Sequence, residues 1–195
     1  MSSLILASSS AYKKMLLQRL QIPFTCVSPN VDEVQQKGEQ AHSMAARLAD
    51  EKALAIATQY PGAVVIGADQ VGELDGIILG KPNNFEAAIK QLRAQSSNTS
   101  KFHCGISVMK QLPKGKLFRK TMLNTTEVTF RALEQQQIES YLMADQPYDC
   151  AGSFKVEGLG ISLFTNIKSN DPSALVGLPL INLCTLLSEF DIQIP

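Results

Sequence analysis

Hydroxyl and cationic side chains meet in residues 4–20, LILASSSAYKKMLLQRL, where an apolar strand passes directly into a helix. Lys13 and Lys14 fall in the first turn of that predicted helix. Because the N-terminal end of a helix carries partial positive charge, these lysines oppose the helix dipole, and a small anion bound there would account for them. Three serines stand at the same joint, and one of them should cap the helix. They are Ser8, Ser9 and Ser10.

An apolar strand also leads directly to a carboxylate in VVIGADQ, residues 64–70. The pattern predicts that Asp69 lies at the carboxyl end of a buried strand, where open α/β sheets assemble their sites. The alternative is an aspartate that caps a turn.

Lys52 interrupts an apolar row on the helix predicted over residues 41–59. Met44, Leu48, Lys52 and Ile56 follow one another at i, i+4 spacing and therefore share one face. Either the Lys52 side chain snorkels to the surface, or its ammonium meets an anion inside a cleft.

Three further residues could carry chemistry, although each has an ordinary interpretation. Glu33 in PNVDEVQQ and Lys81 in LGKPNN lie in predicted loops and could be solvated charges. Asp32 beside Glu33 favours a magnesium site, because Mg²⁺ takes one or two carboxylates and leaves its other positions to water and phosphate. Tyr12 shares a helical row with two leucines and could pack against them.

The elements that must position these residues alternate between strand and helix. Strands are predicted over 4–7, 23–27, 63–68, 100–111, 117–130 and 161–167. Helices are predicted over 41–59, 84–95 and 134–144 besides the first one. A hairpin should turn at Asp75 and Gly76, and a last helix should open with Asp171 as cap and Pro172 as first residue. The pattern, without repeat or linker, predicts one α/β domain over residues 1–195.

Composition limits the class of protein. The 195 residues are 45% hydrophobic and 18% charged, which is enough for one well-filled core. Eighteen basic residues balance eighteen acidic ones, so no broad cationic field favours a nucleic-acid partner. His42 and His103 lie in no recognisable motif.

Four cysteines without a CxxC pair predict reduced, mostly buried thiols in a cytoplasmic protein. They are Cys26, Cys104, Cys150 and Cys184. The short apolar run at the N-terminus follows no basic segment, so no signal peptide is expected. The longest apolar tract, residues 174–187, is too short to span a bilayer and is interrupted by Pro179 and Asn182. The sequence predicts a soluble protein with no membrane partner.

Six motifs, taken in order, resemble the Maf-like nucleoside triphosphate pyrophosphatases over nearly the whole chain. They are LILASSSAYKKMLL at the start, VDE at 31–33, EKA at 51–53, GADQV at 67–71, GKP at 80–82 and VGLPL at 176–180. AGSFKVEGLG at 151–160 and the pairing of Tyr12 with Gln70 resemble the branch that hydrolyses 7-methyl-GTP. The dTTP/UTP branch has arginine and threonine at these two positions.

The resemblance implies a mixed central sheet flanked by helices, with an active-site cleft between two lobes as in inosine triphosphatases. It also implies a divalent metal cation, Mg²⁺ or Mn²⁺, a small-molecule nucleotide substrate and, in many members, a homodimer. Asp69 and Glu33 would act as general base and metal ligand, and either carboxylate could do either job. Lys52 and Lys81, with Lys13, would hold the phosphates and stabilise the developing charge.

The same resemblance implies how the nucleotide is recognised. The three serines and the helix N-terminus would cradle the triphosphate. Methylation at N7 makes the guanine ring cationic, so Tyr12 could stack on it while Glu157 accepts hydrogen bonds from N1 and N2. Gln70 would complete this pocket.

One departure concerns Lys13 and Lys14, where the family usually carries arginines; lysine keeps the charge but loses the bidentate fork.

Two other functions remain compatible with the sequence. One is a pyrophosphatase for dTTP, UTP or another modified nucleotide, and the other is a non-catalytic nucleotide sensor acting on cell division. An RNA-binding module is disfavoured, because the net charge is zero and no aromatic-basic platform is present.

Overall fold

Strands and helices alternate along residues 3–194, the part of the chain that the computed structural model describes. The strands are β1 (Leu4–Ala7), β2 (Thr25–Val27), β3 (Val64–Leu74), β4 (Ile77–Leu79), β5 (Thr99–Gln111), β6 (Leu117–Phe130) and β7 (Phe164–Lys168). The helices are α1 (Ala11–Gln18), α2 (Ala41–Ala57), α3 (Phe85–Gln95), α4 (Gln135–Asp145) and α5 (Leu180–Ser188). The predicted α/β class is confirmed.

All seven strands belong to one mixed sheet. Its order is β2-β1-β3-β5-β6-β7, and β4 pairs with β3 outside this path. β1 is parallel to β2 and β3, whereas every other pairing is antiparallel. The predicted hairpin joins β3 to β4 through Asp75 and Gly76, whose φ angles of 49° and 79° suit a turn that needs two left-handed residues.

The first half of β3 is buried on both faces. Val64 and Ile66 pack into a cluster with α1 and α5, while Val65 packs against α2 on the opposite face. A strand covered on both sides has no solvent face, which explains why VVIGA is a continuous apolar run rather than an alternating one.

Two large core clusters correspond to the two predicted lobes. The first is built from β1, α1 and α5, with Ile106 of β5. The second lies around α3 and α4 and contains Phe102, Phe130 and Phe154, whose rings pack edge to face. Because β5 contributes Ile106 to one cluster and Phe102 to the other, this strand joins the lobes.

The prediction that Asp69 ends a strand is wrong. β3 continues to Leu74 because β5 pairs with it from Val64 to Glu73, and Asp69 sits in mid-strand opposite Gly105. The sequence pattern changes at Asp69 because the strand leaves one lobe there, although its hydrogen-bonded ladder continues.

Two other boundaries differ from the prediction. The last helix begins at Leu180 rather than Pro172, because Gly177 adopts a φ of 108° and Pro179 becomes the N-cap. The Asp171 carboxylate still caps this helix across the turn, since it accepts a hydrogen bond of 2.7 Å from the backbone N–H of Ile181. β7 begins at Phe164 and not at residue 161, because β6 ends at Phe130 and offers no earlier partner.

The expectation of mostly buried thiols is also wrong. Cys104 is buried, Cys150 and Cys184 are half-buried, and Cys26 is exposed; all four are free. Within residues 3–194, none of the helices is long and apolar enough to cross a membrane.

Candidate active site

A cleft of about 660 Å³ opens where β3 has a neighbouring strand on only one edge. β1 pairs with β3 at Val64–Ile66 and β4 pairs with it at Gly72–Leu74, both on the edge opposite β5. Residues 67–71 therefore face a gap in the sheet. All the predicted site residues line the cleft: Ser8, Ser9, Ser10, Tyr12, Lys13, Glu33, Lys52, Asp69, Gln70, Lys81 and Glu157.

The serines form the turn between β1 and α1. Ser10 is the N-cap, and its hydroxyl accepts a long hydrogen bond of 3.4 Å from the backbone N–H of Lys13. The hydroxyl of Ser8 accepts one of 3.1 Å from the N–H of Ser10. Two serines thus shape the loop, and Ser9 is the exposed hydroxyl at the helix N-terminus.

Lys13 extends from α1 toward the turn that precedes α5. Its Nζ would lie 3.4 Å from a Cβ added at Gly177, so the absence of a side chain there leaves room for the ammonium. Desolvation lowers the pKa of Lys13 below that of an ordinary lysine, although nearby acidic groups such as Asp69 limit the fall. A bound phosphate would favour the charged form.

Two glycines allow α2 to lie directly on the sheet beside the cleft. A Cβ at Gly67 would fall 2.1 Å from the carbonyl oxygen of Ala49, and one at Gly105 would fall 2.3 Å from that of Ala45. Real Cβ atoms never come so close, so only glycine permits this approach. Lys52, one turn further along α2, is thereby held over β3.

Lys52 joins two carboxylates. Its Nζ lies 2.5 Å from Oδ1 of Asp69 and 2.5 Å from Oε1 of Glu33. Only 8% of Lys52 is exposed, so the snorkelling alternative is wrong and the expected anionic partner is present. That partner comes from the protein itself, which sequence spacing could not reveal.

The three groups shift one another's pKa values in definite directions. Burial raises the pKa of Asp69, and the ammonium of Lys52 opposes that rise. Burial would lower the pKa of Lys52, but the two carboxylates outweigh it and leave this pKa raised. Partial burial raises the pKa of Glu33, but the hydrogen bond and the charge of Lys52, together with the charges of Lys81 and Lys13, outweigh it and leave this pKa lowered. Asp69 is therefore a carboxylate whose proton affinity is above the ordinary value, as suits a general base.

Glu33 and Asp69 fit a magnesium-type cation in ligand chemistry. Because both touch the same ammonium, their contacting oxygens can lie no further apart than twice 2.5 Å. Among residues 3–194, no group of three or more His, Cys, Asp or Glu side chains could hold a metal ion. Mg²⁺ takes one or two carboxylates and leaves its other positions to water and phosphate, so a pair suffices. Asp32 does not line the cleft.

A different set of charges surrounds Tyr12, which also lines the cleft. Tyr12 is partly exposed, so it faces the cleft rather than packing among the buried leucines. Desolvation raises the pKa of its hydroxyl, Lys155 opposes this rise, and Asp149 and Glu157 add to it. Asp149, which the sequence analysis missed, thus joins Glu157 as a second carboxylate near the tyrosine ring.

Gln70 has a fixed orientation. Its Nε2 donates hydrogen bonds of 2.9 Å to the carbonyl oxygens of both Ala174 and Leu175. Both amide hydrogens are therefore used, and only the oxygen can meet a ligand, as an acceptor. The same bonds hold the turn that ends at Gly177, which adjoins Lys13.

Lys81 is the remaining predicted residue, and His103 is one of the two histidines to which no role was assigned. Lys81 is exposed and lines the cleft two residues after the end of β4. His103 is buried away from the cleft lining, with its Nδ1 2.9 Å from Oγ1 of Thr125 and its Nε2 3.3 Å from Oε1 of Glu73. Among residues 3–194, this Nε2 has no hydrogen-bond partner.

The chain is similar to a family model, to curated relatives and to solved structures. The family model described as Maf-like protein matches residues 3–190. The 7-methyl-GTP pyrophosphatase of Xanthomonas oryzae pv. oryzae is 52% identical over 195 residues, covering 100% of both chains. That of Colwellia psychrerythraea is 45% identical, covering 100% of this chain and 96% of its own. A HAM1 protein structure from Coxiella burnetii aligns with 97% of this chain and 100% of its own at 15% identity and a TM-score of 0.42.

Proposed function

This chain belongs to the Maf-like protein family, and from that premise we propose that it hydrolyses 7-methyl-GTP to 7-methyl-GMP and diphosphate. The observation that carries the proposal is the division of charge along one cleft. Three lysines line it with the Asp69–Glu33 pair, while Tyr12, which also lines it, lies near the carboxylates of Asp149 and Glu157 and near Lys155. A triphosphate joined to a cationic base has the complementary arrangement.

The triphosphate would lie at the end formed by Lys13, Lys52 and Lys81. The N-terminus of α1 adds backbone N–H groups and the Ser9 hydroxyl. When bound between Glu33 and Asp69, a divalent cation would neutralise phosphate charge and lower the pKa of water.

Asp69 would act as the general base. It takes a proton from a water molecule as the water oxygen bonds to the α-phosphorus, and the bond from that phosphorus to the bridging oxygen breaks. Lys13 and Lys81 stabilise the charge that collects on the departing diphosphate. Lys52 fixes the orientation of the Asp69 carboxylate through its 2.5 Å contact. Glu33 is more exposed than Asp69 and is better placed to exchange between Lys52 and a cation.

The base would lie on Tyr12. Three side chains that line the cleft offer acceptors to it: the carboxylates of Asp149 and Glu157 and the free oxygen of Gln70. Lys155 is the cation near Tyr12, and its Nζ lies 3.9 Å from Oδ1 of Asp149. The Watson–Crick edge of 7-methylguanine presents the N1–H and N2–H donors, whereas uracil presents a single donor between two acceptors. Because the methylated ring is positively charged, it should bind to the tyrosine face and the carboxylates more tightly than neutral guanine does.

A panel of nucleoside triphosphates tests this function. Diphosphate release with Mg²⁺ or Mn²⁺ should favour 7-methyl-GTP over GTP, UTP and dTTP by about tenfold or more in kcat/KM. Preference for UTP or dTTP would identify the other enzymatic branch. Binding of 7-methyl-GTP without turnover would identify a sensor.

Substitutions at the base end should alter selectivity. Tyr12→Ala should cost 7-methyl-GTP about 1–2 kcal/mol in kcat/KM and cost GTP less, because GTP lacks the cation–π contribution. Glu157→Gln should further reduce the preference for 7-methyl-GTP over GTP, because a neutral amide no longer complements the charged ring. Equal losses for 7-methyl-GTP and UTP would instead indicate packing or support of the phosphate end.

The pH profile of kcat/KM should be bell-shaped. Activity should fall at low pH as Asp69 is protonated, above the range of an ordinary aspartate because burial raises its pKa. It should fall at high pH as Lys13 loses its proton, below the range of an ordinary lysine because desolvation lowers its pKa. Lys13→Arg should move the alkaline limb to higher pH, because a guanidinium stays charged. Titration of the substrate affects this variant and the wild type equally, so the difference between their profiles reports Lys13 alone. An alkaline limb at the same pH in both proteins would contradict the proposed role of Lys13 in binding phosphate.

A further inference from the structure

Arg47 clasps the loop that carries Glu33. Its Nε and Nη2 donate hydrogen bonds of 2.6 Å and 2.7 Å to the two carboxylate oxygens of Glu39. Nη2 also donates one of 3.1 Å to the carbonyl oxygen of Val34, the residue directly after Glu33. Nη1 donates one of 3.0 Å to Glu51 on the same helix. The guanidinium therefore joins α2 to both the middle and the end of the loop.

The Arg47–Glu39 ion pair, called the clasp below, is better shielded from solvent than an ordinary surface ion pair. The side chains of Arg47 and Glu39 are only 19% and 10% exposed. The Arg47 hydrogen bonds lower the pKa of Glu39 to about 2, so this carboxylate stays ionised throughout the working range of the enzyme. Glu39 in turn accepts a hydrogen bond of 3.0 Å from the backbone N–H of Gln36. One bidentate pair thus organises a loop segment that has no helix or strand of its own.

Lys52 cannot hold Glu33 in place by itself. Its ammonium is shared with Asp69, and the Glu33 side chain is 51% exposed. A carboxylate that exchanges from Lys52 to a cation would lose its tether if the loop had no other attachment. Arg47 supplies that attachment on the neighbouring residue, five positions before Lys52 on the same helix.

We infer that Arg47 and Glu39 position Glu33 for cation binding. The inference rests on the proposed function, in which Glu33 holds a divalent cation beside the triphosphate. Arg47 contacts neither Glu33 nor Asp69 through its side-chain hydrogen bonds. It is therefore a positioning residue, which acts on Glu33 through the backbone at Val34. Its removal should weaken cation binding and leave turnover at saturating cation close to normal.

Arg47→Gln and Glu39→Gln test this inference, with Arg119→Gln as matched control. Arg119 also bonds α2, through Asp50 at 2.8 Å, and within residues 3–194 it forms no hydrogen bond or ion pair with the loop. The Mg²⁺ concentration for half-maximal diphosphate release should rise about tenfold or more in both clasp variants and stay unchanged in the control. Calorimetric Mg²⁺ titration of the protein with a non-hydrolysable 7-methyl-GTP analogue should show the same loss. Without Mg²⁺, the Gln36 amide should exchange its hydrogen faster in both clasp variants.

The outcomes separate the inference from the proposed function. Absence of diphosphate release by the wild type would overturn the proposed function, while the exchange of the Gln36 amide would still report whether the clasp orders the loop. An active wild type whose Arg47→Gln and Glu39→Gln variants keep normal Mg²⁺ titrations would overturn the inference alone. So would an equal loss in Arg119→Gln, because any ion pair on α2 would then have the same effect.

Discussion

Asp69→Asn should lower kcat for 7-methyl-GTP by about 10²–10⁴ while nucleotide binding changes by less than about tenfold. Asparagine keeps the shape of the side chain but cannot accept a proton from water. Lys52 keeps a hydrogen-bond acceptor in the amide oxygen and a charged partner in Glu33, so the fold should survive. Single-turnover rates, together with the Kd for a non-hydrolysable analogue, separate chemistry from binding.

Asp32→Asn is the matched control for that variant. It removes the same charge one residue from Glu33, but Asp32 is exposed and does not line the cleft. Its turnover should stay near that of the wild type. Near-normal turnover in Asp69→Asn would refute the assignment and direct attention to Glu33 as the base.

The sequence identified Asp69 for a reason that the structure corrects. A strand that leads into a carboxylate predicted a strand end, whereas the strand continues to Leu74. The gap through which Asp69 lines the cleft arises because β1 and β4 pair with separate parts of one edge of β3. Such a gap depends on pairings distant in sequence, and no local pattern reports it.

Lys52 was detectable because an ammonium on an apolar row needs an explanation. Its partners were not detectable, because Glu33 lies on an irregular loop and Asp69 on a strand of the sheet. The glycine at 67 carries a weak signal of the close approach of α2, since a buried strand gains nothing from glycine unless another backbone lies against it.

Asp149 and Arg47 could not be identified from local sequence patterns. Asp149 stands in a turn-rich loop, where aspartate is the ordinary residue, and only folding brings it near Tyr12. Arg47 lies five residues before Lys52 in a helix with an ordinary mixture of charges, and its clasp on Glu39 and Val34 depends on how the loop folds back. In both cases the residue type is common, and only its neighbours in the folded chain distinguish it.

Lys52→Met should reduce kcat/KM by about 10²–10³. This single substitution removes both a positive charge beside the proposed triphosphate site and the ammonium proposed to orient Asp69. The structure also predicts lower stability, since methionine leaves the nearly buried Asp69 carboxylate without a cation. Breaking one side of a buried pair costs about 3 kcal/mol, or roughly 6–12 °C in Tm for a domain of this size. Lys90→Met, at an exposed position on α3, controls for loss of charge alone.

The pH dependence of that stability loss identifies its cause. Without Lys52, the folded-state pKa of Asp69 rises further above its unfolded value, so the penalty is small below the unfolded pKa and grows until the pH passes the folded one. The Tm difference from the wild type should therefore be smaller at mildly acidic pH than at neutral pH. The double variant Lys52→Met/Asp69→Asn should recover stability at neutral pH, because no unpaired charge remains, yet stay inactive. If the double variant is as unstable as Lys52→Met, the loss comes from packing of the methionine, and the ion pair is not what Lys52 contributes to the fold.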